Sequence, residues 1–440
     1  MKFRRWNDIV AIDDGKHRWG FHARNLQVAQ IDQEIWNALH PLEPRSETTA
    51  PAPEAQAEIQ AWNHEQDPEV SDLRLGLKVR SLTINVTQIC NLRCTYCAAG
   101  GDGTYGSSKG KVDLSSVFVQ LEKYIPALKT GEDFNITFFG GEPLLHPEAI
   151  REIAQKAREL ANLHGVQLRF AIITNGTLLS ESHVRLLADL RADVTLSIDG
   201  PPEINDQTRP SAGGRGVTER VLDGLSRLAQ ARQELRGITV NAVFGDHNLE
   251  VFKAWEFFRT LPFDNFNLIY ASNPKDDDKN SQIFINEITR IAEAAFTFGG
   301  LRELRRITLF EQLISTLENR QRLLNHCGAG KTLLFSDTQG QNYACNWFTG
   351  QEKELLGNSG NLVAERRAEY ADPLIDKHGC QSCWARFLCG GGCMFVNQSK
   401  TGDKNRKDST FCFRQRSLSA LAIRYFGQEH TIGRDSYETH

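Results

Sequence analysis

The sequence has no long hydrophobic run, no excess of positive charge and no apolar segment at its start. None of its apolar stretches approaches the roughly 18–20 residues that span a bilayer. The first 15 residues lack the apolar core of a secretory signal. Lys and Arg (51 residues) are balanced by Asp and Glu (55 residues), whereas general nucleic-acid-binding proteins are usually strongly basic. We therefore expect a soluble cytoplasmic protein without a membrane or nucleic-acid partner.

Cysteine is absent from the long stretch between Cys97 and Cys327, although the chain has ten cysteines in all. Three of them lie before this gap and seven lie after it. A large protein in a reducing compartment rarely keeps so many cysteines as disulfides. Cysteines that only fill a core would also be scattered more evenly. Their grouping therefore indicates metal ligation or catalysis.

The first 40 residues predict a small β/α unit. Ile9–Ile12 and Trp19–Ala23 flank a turn-prone Asp-Asp-Gly-Lys segment and predict a hairpin. Asp32 is a candidate cap for a short helix. Residues 41–75 are rich in Pro, Ala and Glu, which predicts a flexible linker.

Residues 76–300 alternate short apolar strands with longer amphipathic helices, which predicts a parallel sheet with helices outside it. Periodicity is satisfied equally by an open sheet and by a partial barrel, and both place an active site at the carboxyl ends of the strands. Residues 301–326 predict a helical bridge, and residues 327–440 a separate cysteine-rich unit stabilised by metal clusters. The predicted strands are Leu82–Val86, Asn135–Phe139, Leu168–Ile173, Val194–Ile198, Ile238–Val243 and Phe266–Tyr270.

The first cysteine group directly follows the first predicted strand. It reads Cys90-Asn-Leu-Arg-Cys94-Thr-Tyr-Cys97. Three thiolates at this spacing can hold three irons of a [4Fe–4S] cluster and leave the fourth iron free for a ligand that reacts there. A structural zinc site would need a fourth ligand and usually has pairs of cysteines two residues apart. The cluster is therefore the favoured interpretation.

This motif resembles the cluster loop of the radical S-adenosylmethionine (SAM) superfamily. That family has an aromatic residue beside the SAM adenine before its last cysteine, as Tyr96 stands here. Gly140-Gly141-Glu142-Pro143 follows the second strand and resembles the family segment that binds the amino group of SAM. Ser197 and Arg209 resemble ribose and carboxylate contacts. The resemblance implies a SAM site of eight residues: Tyr96, Gly140, Gly141, Glu142, Asn175, Ser197, Asp199 and Arg209.

The seven later cysteines resemble the SPASM extension, which carries two auxiliary [4Fe–4S] clusters in many peptide-modifying radical SAM enzymes. The inner set is one cysteine short, because residues 320–325 contain none where several relatives supply a fourth ligand. The inner cluster then has either an open iron or another ligand, such as the adjacent His326. The resemblance implies Cys380, Cys383, Cys389 and Cys412 as ligands of the outer cluster, and Cys327, Cys345 and Cys393 as ligands of the inner one.

The implied fold is α/β: a partial (βα)6 TIM-like radical SAM barrel with a C-terminal iron–sulfur SPASM domain and a small N-terminal β/α unit. The implied cofactors are SAM and three [4Fe–4S] clusters, with a flavodoxin or ferredoxin as electron donor. The implied substrate is a precursor peptide with a leader, which an exposed strand edge of the predicted hairpin could bind by strand pairing. The sequence identifies no catalytic side chain beyond the cluster and the SAM site.

The expected reaction joins side chains of a ribosomally made peptide through a C–C or C–S bond, by way of a 5′-deoxyadenosyl radical. Epimerisation and oxidation of a single residue are alternatives, and a non-enzymatic iron–sulfur electron carrier is an alternative of a different class. Two departures count against sulfatase maturation. Asn346 stands where sulfatase maturases have an Asp that accepts a proton, and Phe-Phe-Gly-Gly precedes Glu142 in place of Gln-Gly-Gly.

Overall fold

The computed structural model describes residues 1–41, 53–63, 76–97, 110–271 and 278–435, together with Pro68 and Val70, and side chains up to Thr431. The chain divides into two compact units. One consists of Met1–Leu73, Ser272–Cys327 and Pro373–His440, and the other of Arg74–Ala271 and Gly328–Asp372. No helix within the described ranges is long and apolar enough to cross a membrane.

The chain begins with a five-stranded antiparallel sheet in the order β4-β3-β2-β1-β5. Helix α1 (Gln33–Ala38) begins after Asp32, whose side chain accepts a hydrogen bond of 2.8 Å from the backbone N–H of Ile35. The predicted hairpin is present as β2 and β3, but each of these strands is paired on both sides. The exposed edge predicted for the hairpin is therefore wrong, and the described edges are β4 and β5. The strands are β1 (Lys2–Trp6), β2 (Ile9–Asp13), β3 (Arg18–His22), β4 (Val28–Gln30) and β5 (His40–Pro41).

Helix α2 (Pro53–Asn63) lies inside the predicted linker. Its Ala55 and Ile59 are buried in one apolar cluster with residues of the first sheet and α1. The linker prediction is wrong for these residues, because an Ala- and Glu-rich segment also favours helix when apolar residues four apart have a surface to cover. Residues 42–52 and most of 64–75 lie outside the described residues.

The second unit is built on six parallel strands that neighbour each other in chain order. Consecutive order means that every right-handed crossover runs in the same direction, so the helices cover one face and the sheet curls towards a barrel. The strand order therefore favours the partial barrel over the open sheet. The strands are β6 (Ser81–Thr87), β7 (Asp133–Gly140), β8 (Gln167–Thr174), β9 (Asp193–Ser197), β10 (Gly237–Phe244) and β11 (Asn265–Tyr270).

Residues alternate along these strands between a buried and a half-exposed face. In β10, Ile238 and Val240 are fully buried. The alternate residues Thr239 and Asn241 are half-buried. The buried face lies under the helices, and the other face lines the concave interior of the sheet. The helices of this unit are α3 (Leu114–Tyr124), α4 (Pro147–His164), α5 (Glu181–Asp189), α6 (Pro202–Thr208), α7 (Thr218–Gln230) and α8 (Val251–Arg259).

Helices α9 (Asp278–Arg305) and α10 (Thr308–Glu318) return the chain to the first unit. After Cys327, strand β12 (Leu333–Ser336) pairs in parallel with β6, so the sheet continues beyond the barrel strands. Antiparallel pairing then adds β13 (Gln341–Tyr343), β14 (Leu355–Asn358) and β15 (Asn361–Leu362), before helix α11 (Ala364–Ala368). The structure thus divides the predicted unit 327–440, because residues 328–372 extend the barrel sheet.

The last part of the chain belongs to the same unit as the first sheet. The ring of Trp384 lies 6.2 Å from those of Phe3 and Phe21, and Arg386 forms an ion pair of 3.0 Å with Asp8. The predicted N-terminal unit is therefore not independent, since it packs on the cysteine-rich segment. The remaining helices are α12 (Leu374–Lys377), α13 (Arg386–Cys389), α14 (Met394–Thr401) and α15 (Ser409–Asp435).

Candidate functional site

The first cysteine group lies in the loop that leaves the carboxyl end of β6, and the described part of this loop ends at Cys97. Gly140 and Gly141 pack against its first residues. A Cβ atom on Gly140 would overlap the carbonyl oxygen of Thr87, and one on Gly141 would overlap that of Ile89. Gly140 also has φ of 147°, which favours glycine. The two glycines thus allow the end of β7 to pack closely against the backbone at the start of the cysteine loop.

The carboxylate of Glu142 is fully buried and ties β7 to β8. It accepts hydrogen bonds of 2.7 Å from the hydroxyl of Thr174 and 2.7 Å from the backbone N–H of Asn175. A third bond of 3.1 Å comes from the backbone N–H of Leu144. Burial raises the pKa of Glu142, while these hydrogen bonds act in the opposite direction. Because the side chain has no exposed surface, it acts here as a structural brace between strand ends.

Asn175 connects this brace to the cysteine loop. Its amide nitrogen donates to the side-chain oxygen of Asn91 at 2.9 Å and lies 3.7 Å from the sulfur of Cys90. Its amide oxygen accepts hydrogen bonds from the backbone and hydroxyl of Thr177. The end of β8 therefore holds the start of the cysteine loop.

Tyr96, Asp199 and Arg209 meet at the other end of the loop. The Tyr96 hydroxyl lies 2.9 and 2.8 Å from the two carboxylate oxygens of Asp199, and Arg209 donates to the same hydroxyl. Burial raises the pKa of Tyr96. Burial alone would lower the pKa of Arg209. The neighbouring Tyr96, Cys94 and Asp199 outweigh this effect and raise the pKa of Arg209 above its usual value. The structure therefore brings together three residues that are far apart in the sequence.

Ser197 ends β9 and is paired in register with Asn241 of β10, which is paired with Asn267 of β11. The side chain of Asn267 donates a hydrogen bond of 2.8 Å to that of Asn241. This row of polar side chains runs from the carboxyl end of β9 across the middle of β10 and β11 on the concave face. The sequence analysis missed the two asparagines, although their alternation with buried residues in β10 and β11 is a signal for this face.

His247 was also missed by the sequence analysis. Its ring stacks on that of Tyr96, with 4.5 Å between centroids, and its Nε2 lies 3.0 Å from the carbonyl oxygen of Val243. Its position just after a barrel strand is the only sequence signal that could have found it.

The three thiols of the loop fit a cluster site. All are free cysteines. Burial raises the pKa of Cys90, and it raises that of Cys94 to about 11. Nearby Cys97 adds to both shifts, so the three groups would repel one another as thiolates. Bound irons compensate such negative charge, and this donor set suits a [4Fe–4S] cluster.

The four cysteines assigned to the outer cluster also lie near one another. Burial raises the pKa of Cys380 to about 11, and Cys383 and Cys412 contribute to the rise. The pKa of Cys389 is raised mainly by burial and further by the other three thiols. No group of three or more His, Cys, Asp or Glu side chains in the described part of the chain is tight enough for a single metal ion. A [4Fe–4S] cube takes one cysteine per iron and so requires a wider arrangement.

Cys393 is coupled to a different partner. Burial raises its pKa to about 11, and Cys327 is the thiol that adds to this shift. The Nδ1 atom of His326 lies 3.0 Å from the carbonyl oxygen of Cys389, and its ring meets the edge of Phe411. Cys345 belongs to the other unit, two residues after the end of β13. The ligand set of the inner cluster therefore stays a prediction.

A partial barrel with three grouped thiols at the carboxyl end of its first strand defines the class of the protein. Residues 84–254 match the family model of the radical SAM superfamily. Residues 84–254 therefore form a radical SAM domain, and the protein is an enzyme of this kind. The prediction of an enzyme is thereby confirmed over that of an electron carrier.

Three characterised relatives place the chain more closely. The radical SAM cyclopropyl synthase TigE of Paramaledivibacter caminithermalis is 21% identical over 375 residues, which is 81% of this chain and 76% of TigE. A cysteine-type anaerobic sulfatase-maturating enzyme of Clostridium perfringens is 25% identical over 340 residues, covering 71% and 87% of the two chains. A serine-type enzyme of Klebsiella aerogenes is 24% identical over 355 residues, covering 76% and 84%.

Solved structures share the fold at low sequence identity. The structure of anSMEcpe with bound AdoMet has a TM-score of 0.64 and 22% identity, and the match covers 79% of this chain and 93% of that one. Streptococcus suis SuiB bound to its precursor peptide SuiA has a TM-score of 0.51 and 14% identity, with coverage of 93% and 100%. The predicted fold class is confirmed.

Proposed function

We propose that this enzyme modifies a ribosomally made precursor peptide by radical chemistry, and that it joins two side chains of that peptide through a C–C or C–S bond. The observation that carries the proposal is the cysteine loop, which the protein holds in place beside the open concave face of the barrel. The relatives support the choice of a peptide. SuiB was crystallised with a precursor peptide, and the sulfatase-maturating enzymes act on sulfatases, as their names state.

Different residues of this chain would bind the cluster, SAM and the peptide. Cys90, Cys94 and Cys97 would hold a cluster that, when bound, supplies one electron to cleave SAM into methionine and a 5′-deoxyadenosyl radical. Ser197, which is slightly exposed at the end of β9, would contact the ribose. Asn241 and Asn267 would offer amide groups to the peptide backbone on the concave face, because an amide can donate and accept in the same way as a peptide group.

An oxidation of the sulfatase-maturase type is the less favoured reaction. The residue after Cys345 is Asn346, whose amide cannot accept a proton as a carboxylate can. In the structure, Asn346 begins a short helical turn, and its carbonyl oxygen accepts a hydrogen bond of 2.7 Å from the hydroxyl of Thr349. We therefore favour a cross-link or an epimerisation over this oxidation.

Two partners complete the proposal. A leader peptide would pair with an edge strand of the first sheet, either β4 or β5. An acidic one-electron carrier, a flavodoxin or a ferredoxin, would supply the electron. Basic groups near the outer cysteines suit such a carrier: Lys407 donates to the carbonyl of Gly379 at 2.8 Å, and Arg5 to that of Ser382 at 2.7 Å.

Mass spectrometry of a coexpressed precursor peptide tests the proposed reaction. The peptide encoded beside the gene is the candidate, and a Cys94→Ala variant of the enzyme serves as the matched control. We expect the peptide to lose two hydrogens with the natural enzyme and to stay unchanged with the variant. One hydrogen atom would go to the 5′-deoxyadenosyl radical, and the other would leave as a proton while a cluster held by the later cysteines would take its electron. An unchanged mass with inverted stereochemistry would replace cross-linking by epimerisation. A peptide left unmodified by an enzyme with intact clusters would contradict the proposal.

Iron analysis tests the outer cysteine set. Replacing Cys383 and Cys412 together with Ala should lower the iron content by about four atoms per chain. The electron paramagnetic resonance (EPR) change that SAM causes in the loop cluster should persist, because the two sets of thiols are separate. An unchanged iron content would show that these cysteines do not bind a cluster.

A further inference from the structure

We propose that Tyr96, Asp199 and Arg209 position the cysteine loop and act on the catalytic cluster through it, and that the Tyr96 hydroxyl and the Asp199 carboxylate make no polar contact with SAM. We call these three residues the Tyr96 network. The inference rests on the proposed function, because it concerns the loop assigned to that cluster. It replaces the polar cofactor contact that the sequence resemblance implies for Asp199, and it leaves the contacts implied for the Tyr96 ring and for Arg209 unchanged.

The Tyr96 hydroxyl and the Asp199 carboxylate are hydrogen-bonded within the Tyr96 network. Both carboxylate oxygens of Asp199 lie within 2.9 Å of the Tyr96 hydroxyl. That hydroxyl accepts a hydrogen bond from Arg209, whose guanidinium also lies 3.9 Å from Asp199. The Tyr96 hydroxyl thus donates one hydrogen bond and accepts one, which leaves little capacity for a ligand.

Asp199 is the centre of the network. Besides Tyr96, its carboxylate accepts hydrogen bonds of 2.7 Å from the hydroxyl of Thr208 and 3.1 Å from the backbone N–H of Val243. Its own backbone N–H donates to Asn205 at 3.0 Å. The side chain of Asp199 has no exposed surface, and that of Arg209 is 9% exposed. A buried carboxylate with this many partners fixes its neighbours and cannot reach a ligand in this conformation.

The network closes a backbone clamp on the cysteine loop. The backbone N–H groups of Arg93 and Thr95 donate to the carbonyls of Pro210 and Thr208 at 2.8 and 2.9 Å. Asp199 binds Thr208 on one side of this clamp and Tyr96 on the other. Cys94 lies between the two clamped residues, and Cys97 follows Tyr96 directly. Holding Tyr96 therefore fixes the spacing of two of the three cluster ligands.

The ring and the hydroxyl of Tyr96 have separable roles. The ring stacks on His247 on one side and remains partly exposed, so it can still lie beside an adenine. The hydroxyl serves only the network. A Tyr96→Phe variant removes the hydroxyl and keeps the ring, which separates positioning of the loop from stacking on SAM.

The test compares Tyr96→Phe with Tyr370→Phe in reconstituted protein. Tyr370 is a matched control, because its buried hydroxyl donates a hydrogen bond of 2.7 Å to the carboxylate of Glu354 in the same unit. Three quantities are measured without oxygen: the rate at which a chelator removes iron from the loop cluster, the EPR signal of that cluster with and without SAM, and the dissociation constant of SAM.

We expect Tyr96→Phe to lose the loop cluster about tenfold faster, the effect of one lost charge-assisted hydrogen bond. Its EPR signal should broaden, while protein that keeps the cluster binds SAM within about twofold of the natural affinity. Tyr370→Phe should match the natural protein in all three quantities. Cluster retention unchanged in Tyr96→Phe, or a loss confined to SAM affinity, would overturn the inference. If the natural protein assembles no cluster on the loop, the proposed function fails instead.

Discussion

A Cys94→Ala variant is expected to abolish the reductive cleavage of SAM. Cys94 supplies one of only three thiols in the loop, and burial, helped by the nearby thiols Cys90 and Cys97, raises its pKa. With two thiols the cube is no longer held, and no side chain can supply the electron in its place. The iron content should fall by about four atoms per chain, and 5′-deoxyadenosine should drop below detection in anaerobic incubations with SAM and dithionite.

Thr95→Ala is the control for this experiment. Thr95 lies in the same loop, its side chain is exposed, and its hydroxyl makes only a long bond of 3.4 Å to the carbonyl of Thr208. The backbone bond that clamps the loop is kept in this variant. It should therefore retain iron and SAM cleavage. Full iron content and undiminished cleavage in Cys94→Ala would remove Cys94 from the ligand set.

A Glu142→Ala variant is expected to lose about 3–5 kcal/mol of unfolding free energy. The change leaves the buried N–H groups of Leu144 and Asn175 and the hydroxyl of Thr174 without their acceptor, and it opens a cavity at the end of β7. Glu142→Gln should cost about 1–3 kcal/mol, since its amide must turn at least one N–H towards a buried donor. Urea unfolding followed by circular dichroism measures both values.

Glu152→Gln provides the comparison for the Glu142 variants. Glu152 is an exposed residue of α4, so its change to Gln should alter stability by no more than about 0.5 kcal/mol. Glu142→Ala with the stability of the natural protein would show that the carboxylate is not a brace. A loss of SAM affinity without any loss of stability would restore it to a direct role at the ligand.

The sequence predicted much of the barrel, because periodicity is a local property. Each of the six predicted strands overlaps an observed one, and the order of elements along the chain follows from alternating strand and helix patterns. Strand β12 was not predicted as part of the barrel sheet. It has four residues, and its pairing with β6 joins segments that are about 250 positions apart. A short apolar run in the sequence does not indicate which distant strand it pairs with.

The site was predicted in composition but not in its side-chain contacts. The spacing of Cys90, Cys94 and Cys97 is a local signal, and the resemblance to radical SAM enzymes rests on it. The bond between Tyr96 and Asp199 joins residues 103 positions apart, so it depends on how β9 is placed beside the loop. Glu142 was assigned to a ligand because carboxylates suit ammonium groups. That role stays a prediction, and the structure surrounds the carboxylate with two backbone N–H groups and a hydroxyl, contacts that no sequence pattern reveals.

For the seven later cysteines too, the sequence predicts which residues take part but not how they are arranged. The resemblance separates them into four and three, and the electrostatic coupling of Cys380, Cys383, Cys389 and Cys412 agrees with the larger group. The coupling of Cys393 with Cys327 agrees with part of the smaller one. That the inner set lacks a fourth cysteine ligand is a prediction from the resemblance, and so is the proposal that a substrate or another side chain completes that cluster.

Formation of 5′-deoxyadenosine is the measurement that tests the central claim most directly. The reconstituted protein is incubated without oxygen with SAM and dithionite, and 5′-deoxyadenosine and methionine are quantified by mass spectrometry. The account predicts that both products form in equal amounts, and that they depend on Cys90, Cys94 and Cys97. Intact SAM in the presence of a fully assembled loop cluster would contradict it.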